Sequence, residues 1–595
     1  MLYPIMNSFR STIDLSGFWR FRTDPRDAGE QEAWFNRCET DLEIAVPGSW
    51  NEQLEEAGLL HYVGAAWYFN EVHVPRGFSS HHLELRVGSA DYHATVWVNG
   101  IRLGENCLGF LPFSFPLTHQ VTEDQTLRIA IRVDNRLSNE TIPQGITSSQ
   151  YEQEGRMREE TFPPARFDFS PFGGIHRPVV IVATPHQRLE RIAVGTSIDG
   201  DKGNVELTIG TTGARQGVAH IRIDGNGSSV STSTALVNGK GSVNLVLEGC
   251  RFWSPEDPFL YTVTVALADG GEAVDEYTLS AGVREIRVDG NRLLLNGKPL
   301  YLQGFGKHED AFAVGKGLHL PLLVKDFQLM KWIGANSFRT SHYPYAEECM
   351  AYADRKGILV IDEVPAVSLD FRYVNGATYE HHREYVRRLI ERDNNHPSVI
   401  MWALGNEPNL VGENGYGDGR GKAYWKKIFT VARELDPSRP MIVPNCLRAG
   451  IDDPVLELSD IVCINRYYGW YEFPGQLERA MEVLTAELDQ IHERYRRPVM
   501  MTEFGADSIP GLHSVSDQMF TEEYQENLLG AYIAVLRSKD YTVGEHVWNF
   551  ADFRTPQNLR RVMLNMKGVF TRTRSPKMAA HSLRKIWTSS TTKKD

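Results

Sequence analysis

From the N-terminus to about Thr184, apolar and polar positions alternate in short runs, and Gly, Pro and Asn break the runs. In HLELRVGSADYHATVWVNGIRLGEN the alternation predicts a half-buried strand, a turn at Asn99-Gly100 and a second strand. Successive side chains of a strand face opposite sides, and Asn-Gly accepts the positive φ of a tight hairpin. Trp67, Tyr68, Trp97 and Phe113 suit a β-sandwich core. Runs of similar length recur from Pro185 to Arg287 (NVELTIGTT, AHIRIDG, SVNLVLEG, LYTVTVAL). That is the size and pattern of an immunoglobulin-like sandwich of about 100 residues.

After Val288 the rhythm changes, and short apolar runs alternate with longer helical patterns such as LPLLVKDFQLMKWIG and HHREYVRRLIERD. The apolar runs are Tyr301–His308, Ala335–His342, Ile358–Val364, Val399–Glu407, Pro440–Asn445, Ile461–Gly469, Pro498–Ala506 and Gly544–Asp552. Eight βα repeats in about 300 residues predict a (β/α)8 TIM barrel. The expected organisation is a jelly-roll β-sandwich over 1–184, an immunoglobulin-like sandwich over 185–287 and a catalytic barrel over 288–595, packed on one another because no low-complexity linker intervenes.

Composition narrows the class without naming a function. A chain of 595 residues is too long for one core. Its net charge of −13 argues against non-specific binding to nucleic acid or to an anionic membrane. The start, MLYPIMNSFRSTIDL, lacks a basic segment followed by an apolar one, and no apolar stretch is long enough to span a bilayer. The six cysteines are scattered without metal-ligand spacing, so reduced thiols in a cytoplasmic protein are expected.

In such a barrel the residues at the C-terminal ends of the strands face the active-site mouth. Here those ends carry His308, His342, Asp362, Glu363, Asn406, Glu407, Asn465, Tyr467, Glu503, Trp548 and Asn549. One polar strand end is ordinarily just solvated; this many on one rim point to chemistry. Facing carboxylates are what glycoside hydrolysis needs: one protonated to donate to the leaving oxygen, one ionised to attack the anomeric carbon. Glu407 ends the fourth strand and Glu503 the seventh, which places them on facing sides of the circle. Asp362 and Glu363 compete for the role, but a pair that orients the others is the favoured reading because they lack a neighbouring Asn. No HExxH spacing is present and GKG at Gly315–Gly317 lacks the rest of a phosphate loop, so neither metal nor cofactor is expected.

GNEP at Gly405–Pro408, TEFG at Thr502–Gly505, NSFRTSHYP at Asn336–Pro344 and GFGKHED at Gly304–Asp310 resemble glycoside hydrolase family 2. WYFNEVHVP and VWVNG resemble that family's jelly-roll core, so the likeness covers essentially the whole chain. The resemblance implies Glu407 as acid/base and Glu503 as nucleophile, and relatives that are commonly dimers or tetramers imply a homo-oligomer. Within the family the β-glucuronidases carry an Asn-x-Lys motif after strand eight, which binds the uronate carboxylate; here it is Asn565-Met566-Lys567, following WNFADF. An anionic C6 group needs a cation and a donor, which Lys567 and Asn565 supply.

INRYYGWY and FDFSPFGGIHRPV also resemble the β-glucuronidases, and the likeness implies that Tyr467 lies near the nucleophile, Tyr471 near the carboxylate and Asp168 at the sugar hydroxyls. The chain departs from them at Ser170-Pro171-Phe172, where relatives carry an aromatic and an Asn. Arg561 is the implied second cation, with Arg560 adjoining it as the alternative. Trp548 reads equally as a platform under the sugar or as barrel core. Only PAVSLDFRYVNGATY separates Val364 from the next helix, so an open mouth is expected, able to take small-molecule or oligosaccharide β-glucuronides. Galacturonate differs only at C4 and stays open, as do a family relative acting on a neutral sugar and a catalytically silent sugar-binding protein.

Overall fold

The computed structural model describes residues 1–37, 39–117, 125–145, 161–408 and 419–589. The first sandwich pairs a six-stranded sheet with a four-stranded one. Leu83, Leu85 and Val87 of the smaller sheet share a buried core with Leu127, Ile129, Ile131 and Val133 of the larger. The hairpin turn forms as expected, with Asn99 at φ 52°, Gly100 at φ 80° and Val98 paired with Ile101.

The run before that turn is two strands in different sheets, not one. His82–Val87 belongs to the four-stranded sheet and His93–Val98 to the six-stranded one. Gly88 permits the crossing, because a Cβ there would stand 2.5 Å from that of Arg177. The aromatics also divide. Tyr68 and Phe113 lie in the sandwich core, whereas Trp67 and Trp97 stack at 4.9 Å in a separate cluster with Trp34. Neighbouring positions 67 and 68 must face opposite sides of their strand, so they cannot share one core.

The second sandwich is made of seven antiparallel strands running from Arg188 to Ala281. Its halves meet at the turn joining Ser228–Val237 to Lys240–Leu247, where Val237↔Lys240 is the only ladder pair. Leu207 and Ile209 pack with Ile221, Ile223, Val263 and Val265 between them.

In the third part, parallel strands Leu302–Lys307, Ser337–Thr340, Leu359–Glu363, Val399–Ala403, Val462–Asn465, Val499–Phe504 and Thr542–Val547 curl into a barrel, with the first strand paired to both the second and the last. The fifth strand is reduced to Met441–Ile442, which pairs with the fourth, and Asn445–Cys446, which pairs with the sixth. Pro444 interrupts it, since proline has no N–H to give to the ladder. Ile286, Leu293 and Leu295 share a core with Leu359, Ile361, Met401, Cys463 and Met500, so a small hairpin fills the N-terminal end of the barrel. The helix Gly376–Asp393 begins on Asn375, whose side chain accepts from Thr378 N–H while Thr378 returns a bond to the Asn375 N–H. No helix among the described residues is long and apolar enough to cross a membrane.

Candidate active site

Strand alternation sets the first group of side chains. Leu359 and Ile361 face the barrel interior, so Glu363, two residues on, faces it as well. Glu363 there accepts from Arg339 Nη1 and lies 2.8 Å from His342 Nδ1. Asp362 faces the other way, accepting from Thr340 Oγ1 at 3.1 Å, and burial together with the nearby Asp393 carboxylate raises its pKa. The two carboxylates read together from the sequence are therefore split, and only Glu363 joins the site.

Arg339, fully buried, spans from Glu363 to Glu503, with its Nη2 donating to Glu503 Oε1. Tyr467 Oη donates to Glu503 Oε2 at 2.6 Å, and His342 Nε2 stands 3.9 Å from Oε1. The ladder shifts register on both sides of Glu503, and such bulges re-aim a side chain at the rim of a barrel. Burial raises the Glu503 pKa above the ordinary carboxylate value, against the field of Arg339.

Glu407 lies just past its strand in a left-handed conformation, φ 43°, that few non-glycine residues adopt. Its Oε1 accepts from Asn465 Nδ2 at 2.8 Å. That amide also donates to Asn406 Oδ1 at 3.1 Å, and its own oxygen accepts from Thr502 Oγ1 at 2.7 Å. Asn406 Oδ1 lies 3.4 Å from Arg339 Nη1, so one chain of polar contacts runs from Glu407 through Asn465, Asn406 and Arg339 to Glu503. Burial raises the Glu407 pKa; its bonded opponent is a neutral amide rather than a cation. Trp548 stacks on His342 at 5.0 Å with rings 22° apart, and Arg339 stands over it at 5.8 Å. It is buried against this network.

A second polar cluster is built from loops. Residues 167–170 of the jelly roll reach the barrel through Phe169, which packs on His308 and His342, and through Ser170 N–H, which donates to Arg554 O at 2.9 Å. Asp168 accepts from Arg561 Nε and Nη2 and from Asn565 Nδ2 at 2.9 Å. Of the two arginines, Arg561 is the one that turns inward, its side chain 6% exposed, while Arg560 lies exposed. Lys567 Nζ donates to Asp507 and, at 2.9 Å, to Tyr471 Oη, which also accepts from Arg561 Nη2 at 2.6 Å. Burial alone would raise Asp507, but Lys567 and Arg561 outweigh it and hold the carboxyl below its usual value.

All five Arg561 N–H groups have protein partners: Asp168, Tyr471, Asp507 and the Arg560 carbonyl. Among the described residues, Lys567 keeps one of its three N–H without a partner, Asn565 one of two, and Tyr471, which accepts two bonds, keeps its own O–H. These three donors suit an incoming carboxylate, which offers about four lone-pair sites. Arg339 and Asp507 were missed in the sequence. Arg339 lies inside the quoted motif NSFRTSHYP, whereas Asp507 lies two residues beyond TEFG and past the end of its strand; nothing in the local pattern names the distant partners of either.

Residues 12–185 match the sugar binding domain of glycosyl hydrolases family 2, residues 187–284 the family 2 domain that follows it, and residues 286–591 the family 2 TIM barrel domain. A β-glucuronidase of Paenibacillus borealis is 40% identical over 99% of this chain and 98% of its own length. The human β-glucuronidase is 38% identical over 98% and 92%. Among solved structures, a β-glucuronidase of an uncultured Clostridium superposes with a TM-score of 0.90 at 37% identity, covering 99% of both chains. The Ruminococcus gnavus β-glucuronidase in complex with D-glucuronic acid superposes at 0.89 and 34% identity, covering 98% of this chain and 99% of that one. The chain therefore belongs to glycosyl hydrolases family 2.

Proposed function

We propose that the chain is a retaining β-glucuronidase that releases terminal β-D-glucuronosyl groups from small-molecule or oligosaccharide glucuronides. Glu503 attacks the anomeric carbon as the leaving oxygen takes the Glu407 proton. Glu407, now ionised, then takes a proton from water, which attacks C1 and frees Glu503, so that two inversions yield net retention. The observation that carries the role assignment is the asymmetry of the two carboxyls. Glu503 accepts from the Arg339 guanidinium and the Tyr467 phenol, which favour its ionised form, whereas among the described residues Glu407 takes its side-chain hydrogen bond from the neutral Asn465 amide, which suits the proton-carrying partner.

The sugar assignment is supported by the donors left on Lys567, Asn565 and Tyr471, and by relatives solved with D-glucuronic acid and D-glucaro-1,5-lactone. A silent sugar-binding protein is disfavoured, because two buried carboxyls are costly in a pocket that performs no chemistry. The test is an assay on aryl β-glucuronide, β-galacturonide and β-galactoside. Of these three, preferential turnover of the glucuronide with β-glucuronic acid formed first by NMR is expected; preferential turnover of the galacturonide, or α-glucuronic acid first, would overturn the reading. We read the protein as cytoplasmic, supported by unpaired Cys107, Cys250, Cys349, Cys446 and Cys463 among the described residues. We read it as a homo-oligomer, dimer or tetramer, on the family resemblance, to be measured by light scattering.

A further inference from the structure

The cluster around Lys567 contains as much negative charge as positive: Arg561 and Lys567 against Asp168 and Asp507. A subsite for an anionic C6 group would hold any anion if it worked by surplus charge alone. Here selectivity has to come from where the donors stand. Lysine carries its ammonium on a four-carbon stem with freely rotating bonds, so the position of Nζ must be imposed by its neighbours.

The exit of strand seven imposes it. Gly505 is pressed against the Trp548 carbonyl, where a Cβ would stand 2.1 Å from the oxygen, and this close approach delivers Asp507 to the segment carrying Asn565 and Lys567. Asp507 Oδ1 accepts the Met566 N–H at 2.8 Å, and Ser508 N–H donates to the Met566 carbonyl at 3.0 Å, clamping the backbone between the two motif residues. Asp507 Oδ2 then accepts from Lys567 Nζ and stands 3.4 Å from Arg561 Nη1. Both Lys567 and Asp507 are nearly completely buried, at 1% and 3% exposure. One side chain thus holds the motif's backbone, its ammonium and the second cation.

We propose that Asp507 is the positioning residue of the C6 subsite, fixing the Lys567 ammonium so that a uronate is selected by geometry rather than by excess positive charge. The proposal rests on the β-glucuronidase reading above. Asp507→Asn keeps an oxygen for the Met566 N–H but turns an N–H toward Lys567, donor against donor. The variant should lose roughly 10- to 100-fold in kcat/KM on aryl glucuronide, chiefly through KM, while aryl glucoside changes less than about threefold. In a Lys567→Gln background the same substitution should add almost nothing, because the group it positions is gone. Asp507→Glu, which keeps the charge but displaces it, should fall between wild type and Asp507→Asn, and it carries the same substrate comparison if Asp507→Asn does not fold in a thermal melt.

A parallel loss on both substrates, or a full additional loss in the Lys567→Gln background, would make Asp507 a support of the fold and overturn the proposal. Tighter inhibition of Asp507→Asn by glucuronic acid would overturn it as well, since Asp507 would then compete with the uronate instead of placing its partner. Failure of the underlying reading has a separate signature: wild-type enzyme that prefers glucoside to glucuronide removes the uronate subsite itself, whatever Asp507→Asn does.

Discussion

Glu407 and Glu503 sit among side chains supplied by barrel strands and their ends, whereas the Lys567 cluster is assembled from loops of two domains. In the first region Arg339, Glu363, Asn465 and Glu503 project from parallel strands whose ladders hold them, and the polar contacts form one connected chain. In the second, Asp168 arrives from the jelly roll, Tyr471 and Asp507 from the exits of strands six and seven, and Arg561 to Lys567 from the chain after strand eight. A strand end places a reacting group with little freedom, which bond-making needs. A loop cluster can be rebuilt residue by residue without moving the reacting pair. The molecule therefore separates how it breaks a glycosidic bond from which sugar it accepts, and that separation can be broken experimentally.

The largest effect belongs to the strand-built region. Glu503→Gln removes the nucleophile, and loss of a residue of that kind costs on the order of 10⁴- to 10⁶-fold in kcat. The loss should be the same for glucuronide and for any neutral glycoside the enzyme accepts. A variant that loses glucuronide activity alone would show that Glu503 also reads the sugar, and the separation would fail.

Glu407→Gln comes next. General acid catalysis contributes about 10²- to 10⁴-fold, and the loss should be concentrated on poor leaving groups, because an easily departing phenolate needs little protonation. Azide should restore turnover on good leaving groups, as it attacks the glycosyl-enzyme without base assistance. The acid must be protonated, so activity falls as pH rises through its pKa. Burial raises that pKa, so in wild type the alkaline limb of kcat/KM should lie above the ordinary carboxylate range. In Glu407→Gln that limb should vanish while the acid limb remains. An unchanged alkaline limb would assign it to another group.

The same division explains what could be read from the chain alone. Strand period and βα rhythm made the succession of two sandwiches and a barrel and the strand-end carboxylates legible, because alternation and position at a strand end follow from spacing. Lys567 and Asn565 were found only through the resemblance of a motif that by itself is common. Asp507 and Arg339 escaped because their importance is their partners, 60 and 164 positions away, and long-range pairing leaves no local signature. The split of Asp362 from Glu363 was equally hidden: neighbours in sequence, they face opposite sides of one strand. Trp67 and Tyr68 repeat that lesson in the jelly roll.

In the loop-built region the larger expected effect is that of Lys567→Ala. Removing one partner of a buried charge-assisted contact costs about 2–5 kcal/mol, or roughly 30- to several-thousand-fold in kcat/KM on aryl glucuronide. Aryl glucoside, which has no charge to match, should change little. Parallel decline on both substrates would mean that Lys567, buried over the rings of Tyr467, Trp470 and Tyr471, acts by holding the site together.

Asn565→Ala should have the smallest effect and gives the sharpest comparison between the regions. Its Nδ2 donates to Asp168 at 2.9 Å and its Oδ1 accepts the Lys567 backbone N–H at 3.2 Å, so the side chain ties the jelly roll to the motif. Truncation removes a neutral donor and leaves one buried N–H short of a partner, a loss of about 1–2 kcal/mol, or roughly 5- to 30-fold on glucuronide. Asn565→Asp keeps the acceptor for Lys567 but sets a negative charge between Asp168 and the uronate, so it should be worse than Ala although it is closer to Asn in shape. That order, with glucoside turnover preserved in both variants, follows only if Asn565 acts on the C6 carboxylate. The reverse order, Ala worse than Asp, would show that Asn565 serves the loop alone, leaving Lys567 and Tyr471 to meet the uronate.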